Sequence, residues 1–269
     1  MLALRTPTLP PAAHTNAYLV GPDRGPQLVI DPGSPYPDQQ AALDQVLAAD
    51  AAAGRPLAAV VLTHHHGDHV GGAQALADRW QVPIAAHANT AHRLAGRVTV
   101  TRELADGEQL GEWTAIFTPG HADGHLCFAR GDHTIVGDMV AGLGTILIDP
   151  SEGDMALYLD SLRTLLARPP SALLPAHGPV IADGPAKLRE YIAHRTMRED
   201  RVVATLTTLT TLGEPSGRDA STAELVKDVY ADTPAFLWGL AERSLLAHLV
   251  KLVRENRARE VSPGRWSAR

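Results

Sequence analysis

At 269 residues, with 45% hydrophobic and 20% charged residues, the chain has enough apolar mass for one large globular unit and an appendage. No apolar run approaches the ~18 residues of a membrane span, and a single cysteine, Cys127, excludes a disulfide framework. The net charge of −6 is uneven: residues 1–183 carry 10 Arg and no Lys against 19 acids (−9), and residues 184–269 carry 14 Lys and Arg against 11 acids (+3). A basic half suits a nucleic-acid surface and equally a solvated helical face.

Residues 17–20 and 27–31 read as strands joined by the turn Gly21-Pro22-Asp23-Arg24-Gly25. The second ends in Asp31-Pro32-Gly33, where Asp31 has the chemistry to cap a helix at 37–53. The apolar run Leu57–Leu62 reads as a buried parallel strand. Directly after it come Thr63-His64-His65-His66-Gly67-Asp68-His69-Val70-Gly71-Gly72. On an extended chain His64 and His66 point the same way, and Gly67 lets the chain turn before Asp68 and His69. Imidazoles and a carboxylate at the C-terminal end of such a strand are a ligand set for zinc and similar metals. The spacing suggests two pairs of ligands aimed at two neighbouring points.

A helix is expected over 70–80, a strand over 83–87 and a short helix near 89–95, with His87 and His92 as structural or surface groups. Residues 108–117 suggest a hairpin or strand with Trp113 and Phe117 inward, followed by Thr118-Pro119-Gly120-His121 and a strand over 125–130. Cys127 reads as a small buried apolar group. The strand 133–137 delivers Asp138, the loop 141–145 follows, and an amphipathic helix over 154–168 stops before Pro169-Pro170. A strand over 172–174 leads to Pro175-Ala176-His177-Gly178-Pro179.

A boundary near Asp183-Gly184-Pro185 divides residues 1–183 from residues 184–269. The second part reads as a helix over 185–211, a linker at 213–217, a helix over 222–231 opened by the capping box Ser221-Thr222-Ala223-Glu224, a helix over 234–257 and a hairpin at 261–266. Three helices and a hairpin resemble a winged helix.

Four motifs in one order, His64-x-His66-x-Asp68-His69, Thr118-Pro119-Gly120-His121, Gly137-Asp138 and Ala176-His177-Gly178, resemble the metallo-β-lactamase superfamily. The resemblance implies an α/β fold, the four-layer αββα sandwich, with the winged-helix-like unit at its C-terminus. It implies two divalent ions, zinc first, with iron or manganese also suited. On the family pattern His64, His66 and His121 hold one ion, Asp68, His69 and His177 hold the other, and Asp138 bridges. Asp31 would support the metal loops from behind, His125 would orient a ligand or a loop, and the loop 141–145 would touch substrate. The chemistry implied is hydrolysis by a hydroxide shared between the ions, with Asp68 steering its proton.

Two branches compete. Thr118 through His125 resembles glyoxalase II, but that family's basic glutathione-binding residues have no counterpart here. Gly137 through Ile181, continuing into Tyr191-Ile192-Ala193-His194-Arg195, is more similar to the β-lactamase-like protein 2 group. That resemblance implies a small acyl or thioester substrate, carrier-bound chains included, or single-stranded RNA as an endoribonuclease substrate. A non-enzymatic alternative is a nucleic-acid-binding regulator with a vestigial metal domain. The −9 charge of residues 1–183 favours acyl substrates. Four terminal arginines, Arg254, Arg257, Arg259 and Arg265, are candidates for recruiting an anionic substrate. The reducing environment that a lone cysteine fits, and prolines at 7, 10 and 11 that interrupt any leader-like apolar core, point to the cytoplasm and to no membrane partner. Homo-oligomerisation is left open.

Overall fold

The computed structural model describes residues 1–212 and 219–269. Its first half runs β1 (Leu2–Arg5), β2 (His14–Val20), β3 (Gln27–Ile30), α1 (Pro37–Ala52), β4 (Leu57–Val61), α2 (Gly67–Val70), α3 (Ala73–Trp80), β5 (Ile84–His87), α4 (Ala88–Leu94) and β6 (Arg102–Leu104). These strands form one sheet in sequence order, antiparallel up to β3 and parallel from β3 to β6. A second sheet collects β7 (Gln109–Leu110), β8 (Trp113–Phe117), β9 (Leu126–Arg130) and β10 (His133–Gly137). After α5 (Met155–Ala167) it takes in β11 (Ala172–Pro175), giving the order β11-β10-β9-β8-β7. Only β10 and β11 run parallel there.

The alternation of side chains along each strand makes the layers. Ile30, Val61, Trp113, Leu126, Phe128 and Ile135 fill the space between the sheets. Leu43, Leu47 and Leu76 of α1 and α3 cover the outer face of the first sheet. Tyr158 and Leu162 of α5 cover the outer face of the second. The result is αββα, and loops leave the C-terminal ends of β4, β8, β10 and β11 toward one region.

The C-terminal part is α6 (Gly184–Leu212), β12 (Ala220–Ser221), α7 (Thr222–Val229), a 3-10 turn at Ala235–Leu237, α8 (Trp238–Arg254), β13 (Ala258–Ser262) and β14 (Arg265–Ala268). The order β12-β14-β13 is the wing of a winged helix. Ser221 accepts the Glu224 N–H at 3.2 Å and donates its own N–H to the Glu224 carboxylate at 2.9 Å, completing the capping box. The 29-residue α6 serves two cores: Leu188 and Tyr191 pack with Tyr158 and Leu162, whereas Val202 and Leu206 pack with Leu225, Leu245 and Trp266.

The expected helix over 70–80 is instead two, because Gly71-Gly72 interrupts it. Those glycines sit where a Cβ would meet the carbonyls of Gly33 at 2.6 Å and Pro32 at 2.5 Å. The helix expected to reach 257 ends at Arg254, and the wing begins earlier, at Ala258. β1 has no forecast in the short, weakly patterned N-terminal stretch. The linker expected at 213–217 lies outside the described residues. Among the described residues no helix is long and apolar enough to cross a membrane.

Candidate metal centre

β4 ends and the next residues turn into α2, which throws four ligand-type side chains into one corner. Gly33 makes the turn fit: a Cβ there would lie 1.8 Å from the Asp68 carbonyl oxygen. His64 and His66 meet His121 from the loop after β8. His64 Nε2 lies 2.9 Å from His66 Nδ1 and 3.3 Å from His121 Nε2, and the last two atoms are 3.0 Å apart. Asp138, at the end of β10, joins this group. A second group is Asp68, His69 and His177. Asp138 reaches both: its Oδ2 is 3.5 Å from His121 Nε2, and its Oδ1 is 3.5 Å from His69 Nε2 and 3.3 Å from His177 Nε2. Asp68 Oδ2 stands 3.5 Å from His177 Nε2.

Every histidine of the two groups commits its far nitrogen to a protein acceptor. His69 Nδ1 donates to Asp31 Oδ2 at 2.8 Å, His121 Nδ1 to the Leu147 carbonyl at 2.8 Å, and His177 Nδ1 to the His14 carbonyl at 3.1 Å. His66 Nε2 donates to Glu152 Oε1 at 2.9 Å. Thr63 Oγ1 donates to Asp31 at 2.7 Å and so receives His64 Nδ1 at 3.0 Å. Since carbonyls and carboxylates only accept, these contacts fix the tautomers. The inward nitrogens of His64, His66 and His121 are then bare lone pairs facing one another. Such lone pairs repel unless a cation lies among them. His69 Nε2 and Asp138 Oδ1 are likewise buried with no hydrogen-bond partner among the described residues. The donor set fits metal ions, with five imidazoles and two carboxylates converging in two adjoining groups.

Asp31 does not cap α1, whose N-cap is Tyr36. It holds the Thr63 N–H at 2.8 Å, the Thr63 hydroxyl and His69, from a left-handed backbone conformation (φ 53°) that aspartate tolerates. His125 has both nitrogens engaged: Nδ1 with Thr118 Oγ1 at 2.9 Å, and Nε2 accepting the Asp138 N–H at 3.2 Å. It orients Asp138 and has no nitrogen left for a metal. Gly137 lets it approach, since a Cβ at φ 45° would sit 2.7 Å from His125 Nε2. Glu152 and Thr63 belong to none of the ligand motifs. Thr63 was legible only as the residue joining strand to motif, and Glu152 stands in an irregular segment.

The electrostatics divide the centre. Burial, reinforced by neighbouring imidazoles, pushes His64 and His125 well below the ordinary histidine range and His121 down to about 4. These rings stay neutral, as His64 and His121 must to act as ligands. Burial acts the same way on His69 and His177, but it is outweighed by the combined pull of Asp138 with Asp31 and Asp68 at His69, and of Asp138 with the His14 carbonyl at His177, and both are raised. Burial would raise Asp138, yet His69 and His177 hold it well below the carboxylate range. The carboxylate side of the centre thus demands positive charge, which a metal ion supplies as protons leave.

The centre opens into a cleft of about 280 Å³ walled by the 7–12 segment, the loop 143–147 and Arg243 of α8. The four terminal arginines are not its cations. Arg254 pairs with Asp154, Arg257 with Glu199, Arg265 with Asp219, and Arg259 donates to Ser267 Oγ. None of the four lines the cleft; their contacts staple the C-terminal part to its neighbour and to itself.

A double-layered sheet sandwich with this centre defines a metal-dependent hydrolase. Residues 10–177 match the family described as Metallo-beta-lactamase superfamily, and residues 221–266 match Beta-lactamase associated winged helix domain. The chain belongs to the metallo-β-lactamase superfamily. It is 30% identical over 232 residues to an atrochrysone carboxyl ACP thioesterase of Passalora fulva, covering 82% of this chain and 66% of that protein. It is 29% identical over 265 residues to a Beta-lactamase-like protein 2 homolog of Drosophila melanogaster, covering 91% and 84%. Among solved structures, a metallo-beta-lactamase family protein of Thermus thermophilus, TTHA1429, superposes with a TM-score of 0.77 at 22% identity over 100% of this chain and 98% of that one. A second, TTHA1623 in a di-iron-bound form, is 30% identical with a TM-score of 0.53, covering 69% and 96%.

Proposed function

We propose that the protein is a two-metal hydrolase of thioesters or related acyl compounds, with residues 1–183 carrying the centre and residues 184–269 forming a winged-helix unit that closes one side of the cleft. The observation that carries the substrate class is the cleft wall. Pro7, Leu9, Pro10, Pro11, Leu143 and Ile146 give it an apolar flank beside the polar floor of the metal centre, and its one arginine, Arg243, is already paired with Asp149. An RNA track needs several cations along the backbone; an acyl chain needs apolar surface. The thioesterase name of the Passalora fulva relative supports the same class.

Divalent ions bound here would polarise the substrate carbonyl and lower the pKa of a bound water toward neutrality. His64, His66 and His121 would hold one, Asp68, His69 and His177 the other, and Asp138 would serve both. Asp68, partly open to the cleft, is the carboxylate placed to accept a proton. The sulfur-free donor set suits zinc, and iron as in the di-iron relative, or manganese.

The test is purified, metal-replete protein assayed against acyl-thioesters of graded chain length and against labelled single-stranded RNA, with metal content measured alongside. Thioester turnover that rises with chain length, at about two ions per chain, is expected. RNA cleavage without thioester turnover overturns the substrate class. A stoichiometry fixed at one overturns the two-ion reading.

A further inference from the structure

Residues 146–154 belong to none of the ligand motifs, yet they touch two ligand-bearing loops at once. The Leu147 carbonyl accepts from His121 Nδ1 at 2.8 Å. The Glu152 carboxylate spans two rings, with Oε1 at 2.9 Å from His66 Nε2 and Oε2 at 2.9 Å from His65 Nε2. At the same time the segment is gripped from the C-terminal part. Arg195 of α6 donates to the Ile146 carbonyl, Arg243 of α8 pairs with Asp149, and Arg254, also on α8, pairs with Asp154. On the other side the Asp154 N–H donates to the Gly120 carbonyl at 2.8 Å, beside His121.

We propose that residues 146–154 are a bridge through which the winged-helix unit fixes the orientation of His66 and His121, with Glu152 and Arg243 as positioning residues for the metal ion those histidines hold. The inference rests on the metal reading given above. Two restraints on opposite edges of one short segment leave it little freedom to rotate. His66 is the ligand most in need of this, because it presents Nδ1 inward while the other four histidines are fixed through Nδ1 and present Nε2. Without an acceptor at its Nε2, the ring can flip or change tautomer, and the inward lone pair is lost. Arg243 touches no ligand. Its effect travels through Asp149 and the two residues of chain, Pro150 and Ser151, that lead to Glu152.

The experiment uses the full chain and measures zinc affinity by chelator competition, together with the visible spectrum of the cobalt(II)-substituted protein. In Glu152→Gln the amide accepts from only one of the two rings, and zinc affinity should fall by about 10–100-fold with an altered cobalt band. Arg243→Gln should weaken zinc binding in the same direction and by less. The double variant should lose less than the product of the two single losses, because both act on one segment. Melting temperature serves as the control for folding. Variants that bind two ions with parental affinity and spectrum overturn the bridge. So does an Arg243→Gln that matches the parent, or losses that multiply in the double variant. A parent that holds a single ion, whose affinity both variants still weaken, overturns the two-ion reading and leaves the bridge standing.

Discussion

Asp31 Oδ2 accepts from His69 Nδ1 at 2.8 Å, with both side chains buried. The contact decides which nitrogen of His69 faces the carboxylates. In Asp31→Asn the amide N–H replaces an acceptor, and His69 is free to carry its hydrogen on Nε2, the atom a metal needs. Metal affinity should drop by about 10–100-fold, as measured by competition with a chromophoric chelator. An unchanged affinity means His69 is oriented by something else.

Asp138 and His125 should separate cleanly. Asp138 faces both ligand groups, so Asp138→Ala should lose one ion and lower turnover by orders of magnitude. His125→Ala removes no ligand, only the acceptor for the Asp138 N–H and the ring contact with Thr118 Oγ1, and should cost roughly 10–100-fold. Equal losses in metal content and kcat for the two variants would mean that His125 does more than orient its neighbour.

Gly33→Ala tests the packing beneath the centre. Its Cβ would collide with the Asp68 backbone, so the segment between β3 and α1 has to separate from the metal loop. Stability should fall toward the upper end of about 1–3 kcal/mol in urea unfolding, with weakened metal binding. A variant that binds metal like the parent shows the loop to be less constrained than its contacts imply.

Acid sensitivity has a source away from the metals. Burial would raise the Glu199 carboxyl, but the His248 ring at 3.8 Å, Lys251 at 2.7 Å and Arg257 hold it at about 2, below the ordinary 4.5. A depressed folded pKa gives stability that is present above the unfolded value and lost as pH falls through the folded one. The stability gap between the parent and Glu199→Gln should therefore be full near neutrality and close between pH about 4.5 and about 2. Removing the charge should cost about 1.5–3 kcal/mol at neutral pH. A gap that stays constant down to pH about 2 excludes this group as the origin.

The ligands were legible because four short motifs follow one another in the family's order, and several of them lie close after an apolar run that reads as a strand. Asp138 after Thr134-Ile135-Val136 and His177 after Leu173-Leu174 are of this kind. The supports were not. The acceptors for His121 and His177 are backbone carbonyls, of Leu147 and His14, which any residue supplies. Glu152 is one acid in a loop whose shape depends on contacts with α6 and α8, far away in sequence. The arginine excess near the C-terminus was visible, but its use was not, since ion pairing with Asp154, Glu199 and Asp219 is a matter of tertiary placement. The break at Gly71-Gly72 was hidden for the same reason: the residues that crowd it lie almost forty positions earlier.

Because α6 lends Leu188 and Tyr191 to one core and Val202 and Leu206 to the other, the two halves share a rod of about 44 Å at 1.5 Å per residue. A module on a flexible tether can be lost, swapped or duplicated with little harm to its neighbour. Here excision at the start of α6 bares the apolar face of α5 and unlatches the Tyr191 hydroxyl from the Ala141 N–H. The halves are bound to melt in one cooperative step, and a mutation that loosens the wing is felt in the catalytic sandwich as lost stability, even where no side chain near the cleft has changed.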